Sequence, residues 1–398
     1  MSSSLDRIAE QTPATRDRYV DFLRAASIAA VVLGHWFISM NRWQDGRIFT
    51  VSAIGETSWL WLATWFLQVI PIFFFVGGFA NLTAFESMRR RGEGTGRFLR
   101  TRMERLLKPT ALFVFVWIGI EVVLHLIDCC GTGLWRGVKP PPATVPFGPL
   151  WFLGVYILVV LVSPVTIGLH RRYGAAVPAV LLLAAAAGDA FGFAGGIEAA
   201  RIPNVASVWL LAHQLGYFYA DGTFARISRA RWVAIALAGL ATLILLTNPP
   251  IWFGHGPEFF SGLPHYPKSL LGTDNEPISN MNPPTLALVA MTFWSIGLAM
   301  LARPIVSRWL ARPRPWKAVV LGNTVVMTLF LWHMTAYVLA VLVLWPLGFG
   351  RETDSTVRWW LERPLWIAVP AVFLVVFVAI LARFERPARR PDRSARVV

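Results

Sequence analysis

The chain has 398 residues, of which 56% are hydrophobic and only 15% charged, with 19 Trp and 27 Phe. Such a composition excludes a soluble globular enzyme and implies an all-α, polytopic bundle of transmembrane helices. The net charge of +15 sits in short loops between apolar runs, where it sets topology and is no signature of nucleic acid.

The first apolar run follows about 18 polar residues and has no small-residue cleavage site, so it reads as a retained helix. It opens Arg18-Tyr-Val-Asp21-Phe-Leu-Arg24 and runs to Gly34-His35. Arg24 and His35 are eleven residues apart. At about 100° per residue they share one helix face, and they lie about 16 Å apart along the axis, about half the hydrocarbon thickness. Asp21 precedes Arg24 by three residues, on nearly the same face, and is placed to pair with it. An ionisable imidazole at mid-depth is costly in lipid, which points to a working residue. Each residue alone also has a plainer reading. Arg24 suits a positive-inside anchor that snorkels to the surface, and His35 suits a neutral histidine bonded to a neighbouring helix.

Ten spans are predicted, at residues 19–40, 58–82, 109–127, 149–169, 176–193, 204–221, 232–248, 285–302, 318–345 and 364–383. Of the 37 basic residues, 27 fall in loops on the side of the N-terminus and nine on the other. That bias supports an even count with both termini cytoplasmic, in a cell (plasma or inner) membrane. The expected organisation is a cytoplasmic tail at 1–18, one transmembrane domain at 19–383 and a basic disordered tail at 384–398. Trp residues near span ends read as interfacial belts. No repeat of the kind that builds transporters is visible. Cys129 and Cys130 are adjacent and match neither a disulfide nor a metal spacing. The longest outer loop, about 249–284, holds His255, Glu258, His265, Asp274, Asn275 and Glu276. Its length suggests function or disorder, and its two histidines, ten apart, suggest no metal site.

A second charged element lies between the second and third spans: Arg97-Phe-Leu-Arg100-Thr-Arg102-Met-Glu-Arg105-Leu-Leu-Lys108-Pro109. Arg102 and Arg105 are three apart, so a helical turn places them on one face. Arginine suits phosphate because its planar fork bonds bidentately and stays charged. With Arg24, several arginines in one loop suit a diphosphate and a ribose phosphate. Positive-inside charge, or contact with anionic lipid headgroups, is the plainer reading of the same cluster from composition alone. Glu121 and His333 lie at a depth similar to His35, as do His213 and Asp189 in the spans 204–221 and 176–193, which are short and contain polar residues. Glu121 is a candidate to orient His35, or else pairs with His125 on its own helix.

Arg24 with His35, and Arg102-Met-Glu-Arg105, resemble two signatures of the acyltransferase family 3 membrane proteins. Pro71-Ile-Phe-Phe-Phe-Val-Gly-Gly78-Phe resembles the family's second helix. Phe147-Gly-Pro-Leu-Trp151-Phe-Leu resembles its Leu-Trp-Phe-Leu element, and Gly322-Asn through Leu331-Trp-His333 resembles its late histidine helix. The order is right from about residue 18 to 383. Val-Gly-Gly replaces the commoner Ser-Gly, and no extracytoplasmic hydrolase-like domain is expected.

The resemblance implies an integral-membrane O-acyltransferase of the cell envelope, of the kind that carries out glycan modification such as O-acetylation. It implies acyl-CoA as co-substrate with no bound cofactor or metal, and a glycan, lipid-linked or small-molecule acceptor outside. Its donor-binding candidates are Arg24, Arg100, Arg102, Arg105, Asp21 and Trp151. Its catalytic candidates are His35, as base, with Glu121 and His333. Two other readings use the same residues: a transporter with an intramembrane His and Glu proton path, and an inactive relative serving as an assembly partner.

Overall fold

The first apolar run forms helix α1 (Arg18–Ile38) in the computed structural model, which describes residues 16–44, 47–57, 59–129, 144–193, 195–247, 266–272 and 279–385. Its start follows from the sequence. Asp17 is the N-cap and accepts from Tyr19 N at 2.9 Å and Val20 N at 3.1 Å, with its negative charge at the positive end of the helix. The same carboxylate accepts from the Tyr219 hydroxyl at 2.8 Å, which fixes the helix entry to a distant part of the chain.

At its other end α1 passes into a hairpin, β1 (Ser39–Gln44) and β2 (Arg47–Ser52), antiparallel in the register Ser39↔Ser52 through Gln44↔Arg47. The all-helical expectation does not contain this ribbon. Neither strand alternates strictly, since Asn41-Arg42 are adjacent polar residues and Ile48-Phe49 adjacent apolar ones, so the pattern does not mark them.

The chain continues through α2 (Trp61–Leu67), α3 (Ile70–Arg90), α4 (Thr95–Cys129), α5 (Leu150–Tyr173), α6 (Ala176–Phe193) and α7 (Asn204–Ala220). It ends with α8 (Arg229–Thr247), α9 (Leu286–Leu310), α10 (Pro313–Thr324), α11 (Val326–Leu344) and α12 (Val357–Glu385). Among the described residues, nine helical stretches are long and apolar enough to cross a membrane. The remaining expected span is α7, which has 17 residues and is buried on nearly every side. Protein, not lipid, covers its His213 and Gln214.

Two expected spans are broken. Residues 58–82 split at Gln68, between α2 and α3, just before Pro71. Residues 318–345 split at Val325, between α10 and α11. Conversely, the arginine-rich segment at 97–108 is no loop: α4 runs through it and on into the third span.

Glycines set how closely these helices approach. A Cβ on Gly78 of α3 would collide with the carbonyl of His213 on α7, and one on Gly216 with the carbonyl of Phe75. Backbone contact of this kind needs residues without side chains. On Gly77 a Cβ would lie 2.8 Å from the Tyr156 ring. The Val-Gly-Gly sequence therefore has a packing reason at both glycines. Helix α1 is central, touched by α3, α9, α10, α11 and α12. Large apolar side chains such as Phe115 on α4, Val165 on α5 and Val375 on α12 face outward, as lipid-facing surfaces require.

Two of the nine basic residues assigned to the side away from the N-terminus, Arg201 and Arg363, are buried. Arg363 donates to Ser39 O at 2.9 Å and Phe37 O at 3.4 Å, and its guanidinium sits 3.9 Å from the Trp359 ring centroid. It thereby serves the free carbonyls at the negative end of α1. Arg201 donates to Pro283 O at 3.2 Å and lies 3.9 Å from Asp189. Asp189 accepts from Asn204 at 2.8 Å, the Tyr266 hydroxyl at 2.9 Å and Leu286 N at 2.8 Å, so it caps α9 and ties Tyr266 to the start of that helix. Burial, and then this carboxylate, hold the Tyr266 phenol well above its ordinary pKa. Cys130, His255, Glu258, His265, Asp274, Asn275, Glu276 and the chain ends at 1–15 and 386–398 lie outside the described residues.

Candidate active site

The polar stripe of α1 has two ends, and each meets a different partner set. At the first end Arg24 donates to Asp21 Oδ1 at 3.2 Å and to Asn323 Oδ1 at 3.4 Å. Asn323, on α10, is itself held by donating to Asp21 O at 2.8 Å and Val319 O at 2.9 Å. Asp21 also pairs with Arg16. Asp21 and Asn323 therefore aim the Arg24 side chain, which remains 26% exposed. Asn323 falls inside the Gly322-Asn element, but nothing in its sequence setting names Arg24 as its partner.

Arg102, on α4, crosses to this end of the bundle. It donates to the Ala80 carbonyl of α3 and stacks 5.7 Å from the Phe98 ring centroid. Arg105, Arg24 and the half-buried Tyr156 phenol are its electrostatic neighbours. Arg105 is exposed one turn further on. Arg100 points elsewhere: two residues from Arg102, it lies about 200° round the helix and pairs with Glu104 at 2.9 Å. Lys108 shares that glutamate at 3.2 Å. Arg102 and Arg105 thus share one groove, Arg24 lies within electrostatic range of Arg102 with Asp21 behind it, and Arg100 is left apart.

At the second end, His35 Nδ1 lies 2.7 Å from the Val31 carbonyl. A carbonyl only accepts, so Nδ1 carries the proton and Nε2 of the neutral ring presents a lone pair. His333 repeats the arrangement on α11, with Nδ1 at 2.7 Å from Phe330 O and a buried Nε2 that has no hydrogen-bond partner among the described residues. The two rings meet edge to face with centroids 5.1 Å apart. The Trp36 indole donates to the His333 carbonyl at 2.9 Å and ties the two helices together. His35 opens onto a cavity of about 70 Å³, mostly apolar, walled by Gly34, Ile38, Thr64, Gln68 and Leu271. Gln68, at the break between α2 and α3, is turned away to Leu270 O at 3.2 Å. A neutral imidazole that presents Nε2 beside a mostly apolar cavity is equipped to take a proton from a hydroxyl.

Two candidates stand outside this arrangement. Glu121 is on the inner stripe of α4, one turn beyond Trp117, whose indole donates to Thr335 at 3.0 Å. Among the described residues it has no hydrogen bond to His35; the Val31 carbonyl holds that ring instead. Trp151, at the first turn of α5, is 44% exposed, with its ring against Phe152, at the opposite end of that helix from Arg171 and Arg172. His213 is bonded to Asn81 Nδ2 at 3.0 Å, within the contact between α3 and α7.

The fold and the stripe define a multi-pass membrane protein with arginines at one end of a central helix and an imidazole pair at the other. The acyltransferase-3 family model, an acyltransferase domain, matches residues 17–384. The chain belongs to this family and is a membrane acyltransferase. No match was found among curated proteins or among solved structures.

Proposed function

We propose that the protein moves an acyl group from cytoplasmic acyl-CoA to a hydroxyl of an extracytoplasmic or lipid-linked acceptor, a glycan, glycolipid or small molecule of the cell envelope. The observation that carries this reading is the two-ended stripe of α1. Arg24 lies within electrostatic range of Arg102, which shares a groove with Arg105, at one end, and His35 lines a cavity at the other. The ends are about 16 Å apart along the helix, a distance a pantetheine arm can span.

The arginines hold the phosphates of CoA at the basic face, which the charge bias puts in the cytoplasm. The thioester reaches the cavity beside His35. His35 Nε2 takes the hydroxyl proton as the acceptor oxygen attacks the thioester carbonyl. The C–O bond forms, the C–S bond breaks, and the CoA thiolate leaves with the proton from the imidazolium. The Val31 carbonyl fixes the tautomer and orients the ring, a part that a carboxylate plays in hydrolase triads. His333, with its own free Nε2 beside His35, supports that positive charge. Glu121, Trp151 and Arg100 have no place in this scheme.

The test is CoA thiol release from acetyl-CoA by the purified protein in nanodiscs, supplied with an envelope glycan fraction. Wild type is expected to release thiol and label the glycan fraction, and His35→Ala to do neither while keeping its fold. Full transfer by His35→Ala would remove His35 from the chemistry.

A further inference from the structure

The link between α3 and α4 forms a groove of about 410 Å³ on the basic face, beside the site just described. Arg91, Arg97, Arg102 and Arg105 line it together with a single acid, Glu93. The groove exists because α3 ends in a defined stop. Gly92 takes φ +75°, Gly92 N donates to Arg89 O at 2.9 Å, and Glu93 N donates to Met88 O at 3.0 Å. These are the two hydrogen bonds of a Schellman cap. Phe98 locks the start of α4 onto this end, edge to face with Phe85 at 5.3 Å.

The residue after the cap glycine usually packs an apolar side chain back onto the helix. Here it is Glu93. Its two oxygens hold Arg91 Nε at 3.3 Å and Arg97 Nε at 3.2 Å, one each. Arg91 is braced a second time, by Ser87 Oγ at 2.8 Å. A glutamate that engages two guanidiniums through Nε leaves terminal N–H groups of Arg97 free, among the described residues, to point at a third group. One acid against four arginines leaves three positive charges in excess at the groove. A compact dianion with several acceptor oxygens matches that surplus and geometry; a carboxylate does not use it fully.

We propose that the Arg91–Glu93–Arg97 clasp binds a phosphate monoester, the 3′-phosphate of the CoA donor, while Arg102 and Arg105 hold the diphosphate. This assignment rests on acyl-CoA being the donor. A phosphatidic acid headgroup offers the same monoester chemistry, and the test separates the two sources.

The experiment compares CoA with 3′-dephospho-CoA for binding to the full chain purified in detergent, wild type against Arg91→Gln/Arg97→Gln. Wild type is expected to prefer CoA by about tenfold, the scale of one charge-assisted contact. The double variant is expected to bind both ligands alike, at the wild-type affinity for dephospho-CoA, which also reports that it is folded. Glu93→Gln keeps both arginines without their brace and is expected to narrow the preference. Equal wild-type affinity for the two ligands overturns the clasp and leaves the donor reading intact. Phosphatidic acid retained through purification by wild type but not by the variant, with no CoA preference, gives the groove to a lipid and also overturns it. Binding of neither ligand by monodisperse protein overturns the donor reading itself, and the clasp with it.

Discussion

His35 and His333 come from helices almost three hundred residues apart in sequence, and their rings meet edge to face at 5.1 Å between centroids. In each, a backbone carbonyl holds Nδ1, so both neutral rings present Nε2. Two bases side by side with the same tautomer are poorly explained by packing, because the Nε2 of His333 is buried without a hydrogen bond. They are well explained if a positive charge has to form on His35 with His333 beside it.

A base acts only when unprotonated, so acyl transfer should fall as pH is lowered through the titration of one group. His333→Ala is expected to lower turnover less than His35→Ala, because His333 supports a charge and does not take the proton. The loss for His35→Ala should be on the order of 10²- to 10⁴-fold in turnover. The pH–rate profile of thiol release, measured for both variants, checks the order.

Asn323 is held by two carbonyls and presents its own oxygen to Arg24. Asn323→Ala should leave Arg24 charged but poorly aimed. Weaker CoA binding by several-fold is expected, with turnover at saturating acyl-CoA little changed. Raising the salt concentration should weaken CoA binding to wild type, since the mouth is partly exposed. Equilibrium binding at two ionic strengths reads both effects.

Arg363 bonds the carbonyls that α1 leaves free beside His35's turn. Arg363→Ala strips them of partners and should cost about 1–3 kcal/mol of stability. Arg363→Lys, a point donor without the fork, should recover part of it. Thermal unfolding in detergent is the direct measurement. Turnover should fall with it, because the turn that carries His35 loses its clamp.

Gly34 and Gly78 make a contrasting pair. A Cβ on Gly34 meets nothing within 4 Å, while one on Gly78 collides with the backbone of α7. Gly34→Val should therefore fold, with its side chain entering the cavity beside His35, and should lower acyl transfer. Gly78→Ala should fail at the folding stage. Size-exclusion profiles and thiol release of the two variants separate the cases.

Much of this was legible in the sequence. The helical period alone aligned Arg24 with His35, and the three-residue step aligned Arg102 with Arg105, because both relations lie within one helix. Relations between helices were not legible. The pairing of His35 with His333, and the aiming of Arg24 by Asn323, depend on how α1 packs against α10 and α11. Arg363 read as a loop charge because hydropathy counts a buried, carbonyl-bound guanidinium like an exposed one. The Val31 carbonyl, which holds the His35 ring, is a backbone group and leaves no mark in a residue pattern. Breaks at Gln68 and Val325 were hidden inside apolar runs whose mean hydropathy does not register one lost turn.

The most direct test of a donor site at one end of α1 and a reacting group at the other is a crossed comparison. CoA binding and thiol release from acetyl-CoA would be measured on the same preparations of Arg102→Ala/Arg105→Ala and His35→Ala. The arginine variant is expected to lose CoA binding, and the histidine variant to bind CoA as wild type does and release no thiol. If the arginine variant binds CoA normally, or the histidine variant turns over normally, the two-ended site is contradicted.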